Sequence, residues 1–323
     1  MNDAISAENI KKTFPAKGKA KAVEAVRGVS LSVRQGEIFG FLGPNGAGKT
    51  TFQRMLTTLM PIDNGTAIIA GFDAKKKPGD VRKHIGYISQ LGGSDLPATG
   101  RENLMLAGRL YGMKKADVQQ KIRELSKLLE LEDLLDRIVR TYSGGQKRRL
   151  EIALGIIHEP DILFMDEPTT GLDPQNRANL WTHIRKLKAN GKTIFLTTHY
   201  LDEADALADR LAIMDYGRIV AEGAPSELKR KISGDAIQMR FQNAADTRNL
   251  FDGLDFINEI RIMDDKVFLY VKDGSKALPI IFDLLKARHM ELDSISLTAP
   301  SLDDVFLKET GRSLRDTGKE GAI

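Results

Sequence analysis

Cysteine is absent from the 323 residues of the chain. Its absence excludes disulfides, thiolate metal sites and cysteine nucleophiles, and it suits a reducing compartment. Long apolar runs are missing as well, because no stretch approaches the roughly 18 consecutive apolar residues of a membrane span. The first residues also lack a signal-peptide pattern. We therefore expect a protein that stays in the cytoplasm.

A strong charge of either sign is lacking too. The chain has 48 basic and 44 acidic residues, a net charge of +4, which is too even to indicate a nucleic-acid partner. Basic residues do cluster at 17–21 and 75–77; solvated loops explain them, and contact with anionic lipid headgroups is the alternative. The length suggests two domains at roughly 150 residues each. A hydrophobic share of 41% and a charged share of 28% are typical of globular proteins with a real core.

The strongest motif follows an apolar run at 38–42 and precedes a segment of helical spacing at 51–56. It has the form G-x-x-x-x-G-K-T and consists of Gly43, Pro44, Asn45, Gly46, Ala47, Gly48, Lys49 and Thr50. Glycines allow backbone N–H groups to turn toward phosphate oxygens, and the following helix adds its positive N-terminus. We expect Lys49 to reach the β- and γ-phosphates and Thr50 to hold Mg²⁺. The sequence therefore predicts a phosphate loop between a strand and a helix.

Two adjacent carboxylates end a second apolar run at 162–165. A continuous apolar run is typical of a parallel strand that is buried on both faces. Successive side chains of a strand alternate in direction, so Asp166 and Glu167 need not compete for one position. We expect Asp166 to take Mg²⁺, directly or through a water, and Glu167 to accept a proton from an attacking water.

A capping box indicates a helix start at Ser143, because Gln146 follows three residues later. Gly144 and Gly145 fall in the first turn, although glycine costs about 1 kcal/mol relative to alanine inside a helix. Their presence indicates that something approaches this helix end closely, and the free N–H groups suit a phosphate. An ordinary helix start is the alternative.

For two further residues, the sequence pattern alone allows both a structural and a functional role. A buried strand at 193–198 ends in His199, which is structural or catalytic. A strand at 4–14 ends in Phe14, which either stacks on an adenine or belongs to the core.

The remaining pattern predicts the domain organisation. We assign residues 1–230 to one domain with a helical insert at about 92–158, residues 231–310 to a second, and 311–323 to a loose tail. Further elements of the first domain are strands at 22–33, 66–71 and 84–89, a helical stretch at 101–131, and a helix after a turn at 170–174. The second domain has strands at 236–242, 256–263, 266–272 and 291–298 and helices near 244–252 and 276–288, with a turn at 264–265. Its β-α-β-β-α-β order predicts a small ferredoxin-like α+β unit.

Taken in order, these motifs resemble the nucleotide-binding subunit of ATP-binding cassette (ABC) transporters over about residues 4–230. The residues that carry the resemblance are Gly43 to Thr50, Gln90, Tyr142 to Gln146, Ile162 to Glu167, Gly171-Leu172-Asp173 and His199. The resemblance implies an α/β fold: a phosphate-loop NTPase (RecA-like) core, an antiparallel β subdomain and an inserted helical subdomain. It also implies ATP hydrolysis with Mg²⁺.

The resemblance assigns further roles. Phe14 stacks on adenine, where the family more often has tyrosine. Gln90 touches Mg²⁺ and relays the nucleotide state to a membrane partner, and His199 contacts the γ-phosphate and the lytic water. In a head-to-tail dimer, the helix start at Ser143 caps the ATP bound to the partner copy's Lys49, and Asp173 communicates between the sites. The full expected set is catalytic Glu167, His199, Lys49 and Gln90; nucleotide-binding Phe14, Gly43 to Thr51, Gln90, Ser143, Gly144, Gly145, Gln146 and Asp173; and Mg²⁺-binding Thr50, Gln90 and Asp166.

Three segments are similar to the daunorubicin-resistance branch of exporters: Tyr142, where the family usually has leucine, and residues 98–104 and 301–307. We therefore expect a multidrug or antibiotic exporter ATPase, peripheral at the cytoplasmic face of the cell membrane, that works with a second copy of itself and a separate polytopic permease. The alternatives are a soluble cassette ATPase acting on ribosomes or DNA, and a nucleotide-binding regulator without hydrolysis. The second domain is either a dimer-stabilising appendage or a regulatory, drug-sensing unit.

Overall fold

The computed structural model describes residues 3–16, 22–230, 232, 235–241, 250–251, 253–263, 266–288, 290, 292–298 and 300–311. The chain divides into two compact units, the first of which ends at Gly223 and the second of which begins at Ala224. The predicted boundary lay at 230, after a short helix, Pro225–Arg230, that belongs to the second unit because it packs against that unit's last helix. The predicted tail lies outside the described residues from 312 onward.

The first unit combines strands and helices. Its strands are β1 Asp3–Phe14, β2 Val23–Arg34, β3 Ile38–Leu42, β4 Asn64–Ile69, β5 Phe72–Asp73, β6 Ile85–Ile88, β7 Ile162–Asp166, β8 Thr193–Thr198, β9 Arg210–Asp215 and β10 Arg218–Gly223. Its helices are α1 Lys49–Leu56, α2 Pro78–His84, α3 Gly100–Leu110, α4 Lys115–Leu128, α5 Gly144–Ile156, α6 Pro174–Ala189 and α7 Leu201–Leu207, with short 3-10 helices at Glu132–Leu134 and Val139–Thr141.

The central sheet has the order β10-β9-β3-β8-β7-β6, and only its edge strand β10 runs antiparallel to its neighbour. Every residue of β3, β7 and β8 is buried, which explains their continuous apolar sequences. Parallel strands end at the same edge of a sheet, and ligands of open α/β sheets bind beyond that edge. The residues that follow β3, β6, β7 and β8 are therefore brought close together.

A second sheet has the order β2-β1-β4-β5 and is antiparallel throughout. Its strand β4 begins at Asn64 and ends at Ile69, two residues before the predicted end, because Ala70 and Gly71 turn with φ of 49° and 82°. The predicted strand at 84–89 is shorter as well, since His84 ends α2. The sheet supplies the predicted antiparallel β subdomain.

The helical stretch predicted at 101–131 is divided into α3 and α4. Gly112 turns the chain between them with φ of 80°. The predicted apolar face of α4 is buried, with Val118, Ile122 and Leu125 each exposed by 6% or less. Together with α5, these helices form the predicted helical insert around one hydrophobic cluster.

The second unit has its own sheet and core. Its elements are α8 Pro225–Arg230, β11 Asp235–Arg240, β12 Ile257–Met263, β13 Lys266–Val271, α9 Gly274–Ala287, β14 Ser294–Thr298 and α10 Leu302–Thr310. The antiparallel order β12-β13-β11-β14 is that of a ferredoxin-like sheet. The predicted helix near 244–252 falls largely on residues outside those described, as does the turn at 264–265.

The sequence did not predict α10. It begins with a capping box in which Asp304 N–H donates to Ser301 Oγ (3.3 Å) and Ser301 N–H donates to Asp304 Oδ2 (2.8 Å). Tyr270 of β13 donates to the same carboxylate (3.1 Å). The 301–307 segment therefore contacts this sheet at Tyr270 of β13.

Within the part of the chain that the structure describes, every helix is too short or too polar to cross a bilayer.

Candidate functional site

The loop between β3 and α1 depends on its glycines. Gly46 and Gly48 have φ of 80° and 106°, which L side chains rarely adopt. A Cβ on Gly48 would also collide with the carbonyl oxygen of Ala25. At the start of the loop, Gly43 N–H donates to Thr198 O (3.3 Å), which ties the loop to the end of β8. The backbone is thus wrapped tightly around the position where a phosphate is expected.

A cavity of about 550 Å³ opens on this loop. Its lining residues are Ala25, Asn45, Gly46, Gly48, Lys49, Thr50, Thr51, Gln90, Glu167, Thr170 and His199. The chain thus brings the phosphate loop to one place with Gln90, two residues after β6, Glu167, directly after β7, and His199, directly after β8. Ser143, Gly144, Gly145, Gln146, Asp173 and Phe14, all described residues, are not among those that line the cavity.

Lys49 places a buried cation in this cavity. Its Nζ donates to Gly43 O (2.7 Å) and Pro44 O (3.1 Å) and lies 3.7 Å from Glu167 Oε1. Burial lowers the pKa of Lys49, while the charges of Glu167 and Asp166 act in the opposite direction. A bound anionic substrate would therefore offset the energetic cost of burying the Lys49 ammonium.

Asp166 lies beneath the loop and is 2% exposed. Its Oδ1 accepts from Thr50 Oγ1 (3.1 Å) and Thr197 Oγ1 (2.7 Å), and Tyr87 OH donates to Oδ2 (3.4 Å). A carboxylate, a threonine hydroxyl and the nearby Gln90 amide are hard oxygen donors of the kind that Mg²⁺ prefers. The residues present therefore fit a magnesium ion.

Sequence reasoning missed Thr197 and Tyr87. Thr197 pairs with Asp166 in the register of β7 and β8, and Tyr87 belongs to β6, the neighbouring strand. Only the order of strands reveals these contacts.

Glu167 has an unusual backbone and several partners. Its φ of 46° is uncommon for a residue with a side chain. Its N–H donates to Thr197 O (3.1 Å) and Thr197 Oγ1 (3.2 Å), which holds the strained conformation. Its Oε2 accepts from Gln90 Nε2 (3.1 Å) and Thr170 Oγ1 (3.3 Å) and lies 3.1 Å from His199 Nδ1. The side chain is thus fixed from three sides.

The protonation of Glu167 follows from these contacts. Burial raises the pKa of Glu167, but the hydrogen bond and charge of His199 and the charge of Lys49 outweigh burial and hold the pKa below its ordinary value. The carboxylate is therefore ionised at neutral pH and able to accept a proton from a water molecule.

The helix start at Ser143 is exposed and lies on α5. Gln146 N–H donates to Ser143 Oγ (3.3 Å) and Ser143 N–H donates to Gln146 Oε1 (2.9 Å), as the capping box predicts. A Cβ on Gly145 would lie 2.5 Å from Asn176 Oδ1, whereas one on Gly144 would meet only Leu172 Cδ2 at 3.5 Å. Packing within the chain thus explains Gly145 but not Gly144.

Asp173, Tyr142 and Phe14 lie elsewhere. Asp173 caps α6 by accepting from Asn176 N–H (2.9 Å). The Tyr142 hydroxyl donates to Leu134 O and lies 2.5 Å from the position of a Cβ on Gly100, so this tyrosine packs within the helical insert. Phe14 ends β1 and is 38% exposed.

Two family models match the chain. The model described as ABC transporter matches residues 26–170, and the C-terminal domain of DrrA1-3-like ATP-binding proteins matches residues 223–310. The second match begins where the structure divides the chain.

Similar proteins cover nearly the whole length. The daunorubicin/doxorubicin resistance ATP-binding protein DrrA of Streptomyces peucetius is 42% identical over 92% of this chain and 91% of its own. The Nod factor export ATP-binding protein I of Ralstonia nicotianae is 37% identical over 97% and 95%. These relatives give no support to the alternative of a ribosome- or DNA-acting ATPase.

Solved structures agree with the fold. The ADP conformation of an ATP-binding cassette of an ABC transporter is 28% identical and has a TM-score of 0.62, covering 70% of this chain and 93% of that one. A dimeric post-hydrolysis cassette bound to ADP and Pi is 25% identical with a TM-score of 0.62, covering 68% and 98%. The predicted fold class, ATP binding and ATPase activity are confirmed. The chain belongs to the ABC transporter family, as an ATP-hydrolysing subunit of its daunorubicin-resistance-like branch.

Proposed function

We propose that two copies of this chain bind two Mg·ATP between them and close, and that closure drives export through a separate membrane subunit at the cytoplasmic face of the membrane. One observation carries the proposal. Lys49 lies in the cavity, whereas Ser143 and Gly144 are exposed and outside it. Head-to-tail pairing brings the helix start of one copy to the cavity of the other, and the dimeric cassette described above supports the formation of a dimer.

The cargo class follows from the relatives. DrrA proteins are named for daunorubicin and doxorubicin resistance, and the Ralstonia nicotianae protein for Nod factor export. We assign the chain to export of an organic molecule of this drug or antibiotic type. Selection of the cargo belongs to the membrane subunit, since transport takes place there.

Hydrolysis is assigned to the residues around Glu167. Its carboxylate takes a proton from the attacking water, Gln90 and His199 hold the carboxylate in place, and Lys49 binds the β- and γ-phosphates. Thr50, Asp166 and Gln90 would hold Mg²⁺, which when bound neutralises charge on the phosphate oxygens. Phe14 stacks on the adenine. Cleavage replaces one γ-phosphate contact with two separate anions, so the dimer opens.

The energetics favour a nucleotide that two copies share. Shifting a two-state transporter from 1:99 to 99:1 requires about 5.5 kcal/mol of differential binding. A ligand that contacts both copies only in the closed state supplies such a difference, whereas a ligand held by one copy binds both states alike.

The substitution Glu167→Gln tests this function. It removes the proton acceptor but keeps the shape, so ATP binding persists while turnover falls by about a thousandfold or more. Light scattering should then show a larger share of dimer with Mg·ATP than with Mg·ADP. Glu132→Gln, on the exposed surface of the helical insert, serves as the control and should turn over like the unmodified chain. A Glu167→Gln chain that stays monomeric with ATP would contradict the proposal.

We place the membrane subunit at a groove of about 580 Å³ beside the Gln90 segment. Ser89, Leu106 and Leu110 line it. Leu106 and Leu110 share one face of α3 and are 57% and 78% exposed, and Leu91, the neighbour of Gln90, is 93% exposed. Exposed apolar groups at a cleft mark interaction sites. Docking here couples the partner directly to the residue that contacts Glu167.

A charge in this groove tests the docking site. Leu110→Asp should abolish co-purification with the membrane subunit while the isolated chain keeps its ATPase rate. Ile68→Asp, at a 39% exposed apolar residue of β4, should keep both. Equal capture of the two variants would rule out this groove as the docking site.

We assign the second unit to dimer stabilisation, with regulation by a drug as the alternative outcome. The test is truncation after Gly223, because a later cut would leave α8 without the α10 surface on which it packs. The share of chains that are dimeric without nucleotide should fall after truncation. An unchanged share of dimer together with an altered drug response would instead assign a regulatory role.

A further inference from the structure

Arg148 connects α5 to the loops that carry the catalytic groups. It is 7% exposed, and its guanidinium contacts three backbone carbonyls. Nε donates to Pro168 O (2.7 Å), one Nη to Ser89 O (2.6 Å) and the other to Asp166 O (3.3 Å). The rigid, planar guanidinium can donate to three separate carbonyl oxygens at once, whereas the compact ammonium of a lysine cannot reach all three.

The three carbonyls flank two catalytic residues. Ser89 directly precedes Gln90, and Asp166 and Pro168 stand on either side of Glu167. Gln90 and Glu167 also contact each other at 3.1 Å. Because Glu167 has a strained φ of 46°, its side chain depends on how the backbone on both sides is held.

A second side chain of α5 holds the other end of the Gln90 segment. Glu151, one turn after Arg148, accepts from Gly93 N–H (2.8 Å), Ser94 N–H (3.1 Å) and Ser94 Oγ (2.6 Å). A Cβ on Gly92 would lie 2.9 Å from its Oε1. Residues three apart on a helix share a face. One face of α5 therefore contacts the chain both before and after Gln90.

Arg148 stays a cation in this setting. Burial lowers the pKa of Arg148, and the charges of Glu151, Glu203 and Asp166 oppose that effect. Arginine is not deprotonated in proteins. Its hydrogen bonds are thus charge-assisted, and their loss removes a charged donor from each of the three carbonyls, of which Ser89 O keeps the Gly92 N–H at 3.3 Å.

We infer that Arg148 is a positioning residue that ties the helix beginning at Ser143 to Gln90 and Glu167 of the same chain. The inference rests on the proposed function, in which that helix start caps the nucleotide of the partner copy. When the N-terminal end of α5 binds the partner copy's ATP, Arg148 then fixes the position of Glu167. Glu167 in turn accepts the proton of the water that attacks the ATP in its own copy's cavity. Each copy adjusts its own catalytic carboxylate according to whether it has engaged its partner's nucleotide.

Arg148→Lys tests the inference, with Arg149→Lys as a matched control. Arg149 is the next residue of the same helix and also donates to two carbonyls, Leu129 O (3.1 Å) and Glu130 O (3.0 Å), which are remote from Gln90 and Glu167 in sequence and outside the cavity. We expect Arg148→Lys to lower kcat by about tenfold or more, as the loss of a charge-assisted hydrogen bond implies. The KM for ATP should stay within about twofold, and Arg149→Lys should keep both constants.

The split between kcat and KM separates positioning from general damage. Equal rates for the two variants, or a parallel loss of ATP affinity in Arg148→Lys, would overturn the inference. Should Arg148→Lys fail to fold, Glu151→Gln decides, since it loosens the same segment from the other end. A kcat about threefold lower at constant KM supports the inference, and an unchanged kcat rejects it.

A double variant distinguishes this inference from the proposed function. In the Glu167→Gln background, Arg148→Lys should cause no further loss of residual turnover, because both changes act through one group. An additive loss would assign Arg148 a separate role. Failure of the function itself has a different result, since Glu167→Gln alone would then not form the ATP-dependent dimer.

Discussion

The catalytic cavity and the helix start at Ser143 both have groups suited to phosphate, yet they differ in how those groups are satisfied. Glu167 in the cavity and Asp166 beneath the phosphate loop accept hydrogen bonds from two loops, a helix and a strand of the same chain, namely from Gln90, Thr170, Thr50 and Thr197. At the helix start, the capping box uses the N–H groups of Ser143 and Gln146. The N–H groups of the first turn have no helical acceptor. The first region is assembled by the fold, and the second offers donors to something outside it.

The two glycines of the helix start sharpen this contrast. Gly145 is buried against Asn176, so close packing accounts for it. Gly144 is exposed and has ordinary space around it. A residue type that the chain itself does not require is best explained by a ligand that approaches from another molecule.

The largest expected effect comes from inactivating the cavity in one copy of the chain and the helix start at Ser143 in the other. Lys49→Ala removes the cavity cation, and Ser143→Asp keeps a good helix cap but repels a phosphate. Each variant alone should lose about a thousandfold in turnover. A 1:1 mixture should recover about a quarter of the unmodified rate, because half of the dimers are mixed and each has one intact site of two.

The measurement is phosphate release from the mixture at a concentration that allows subunit exchange. Ser143→Thr, which keeps both the cap and the neutral hydroxyl, is the control and should work in either copy. If the mixture is no faster than its components, the two regions do not meet in one site.

Gly144→Ala should have a smaller effect on turnover. It shows whether this glycine is needed for the stability of the chain or for activity. An added methyl meets only Leu172 within the chain, so the free energy of unfolding should change by about 0.5 kcal/mol or less. Turnover should nevertheless fall by about tenfold, since the methyl occupies the approach of the partner's phosphate. Urea unfolding and phosphate release measure the two quantities.

Gly145→Ala gives the opposite pattern and serves as the reference. Its methyl must displace the Asn176 side chain, whose Nδ2 donates to Asp173 Oδ2, so it should destabilise the chain. If Gly144→Ala lost stability in the same proportion as activity, the exposed glycine would have a structural reason after all.

The sequence could predict the phosphate loop, the acidic pair and the strands because their signals are local. A fixed spacing of glycines and a continuous apolar run require no knowledge of neighbours. The same holds for the helix start at Ser143, whose capping box lies within four residues. These predictions placed Lys49, Gln90, Glu167 and His199 close enough in topology for the structure to bring them into one cavity.

The contacts that the sequence could not predict depend on register and on backbone atoms. Thr197 reaches Asp166 only because β7 and β8 pair as they do. Arg148 binds carbonyl oxygens, which every residue has, so no residue pattern indicates its partners. The positive φ of Glu167 runs against the preference of its side chain, because neighbouring strands impose it.

The smallest expected effect concerns Glu203, a buried carboxyl close to Thr169 and Thr198, which precede the cavity-lining residues Thr170 and His199. The prediction tests whether water reaches this side of the cavity, in contrast to the exposed helix start. Glu203 is fully buried, and its Oε1 accepts from Trp181 Nε1 (3.2 Å). Burial raises the pKa of Glu203, and the nearby hydroxyls of Thr198 and Thr169 and the hydrogen bond from Trp181 offset it only in part. The folded chain therefore keeps this proton to a higher pH than the unfolded chain.

The sign of the pH dependence follows from that difference. Above the unfolded pKa of a glutamate, folding requires proton uptake at Glu203, so this residue makes the chain less stable as pH rises toward the folded pKa. Glu203→Gln mimics the protonated form and removes the penalty. The variant should match the unmodified chain near pH 4.5 and become increasingly more stable than it as the pH rises toward 7.5. Trp181, the single tryptophan of the chain, reports urea unfolding of this unit.

Glu132→Gln, at an exposed glutamate, should show no such divergence. A stability difference for Glu203→Gln that stays constant over this range would mean that the carboxyl is ionised in the folded chain, and that water reaches the cavity wall.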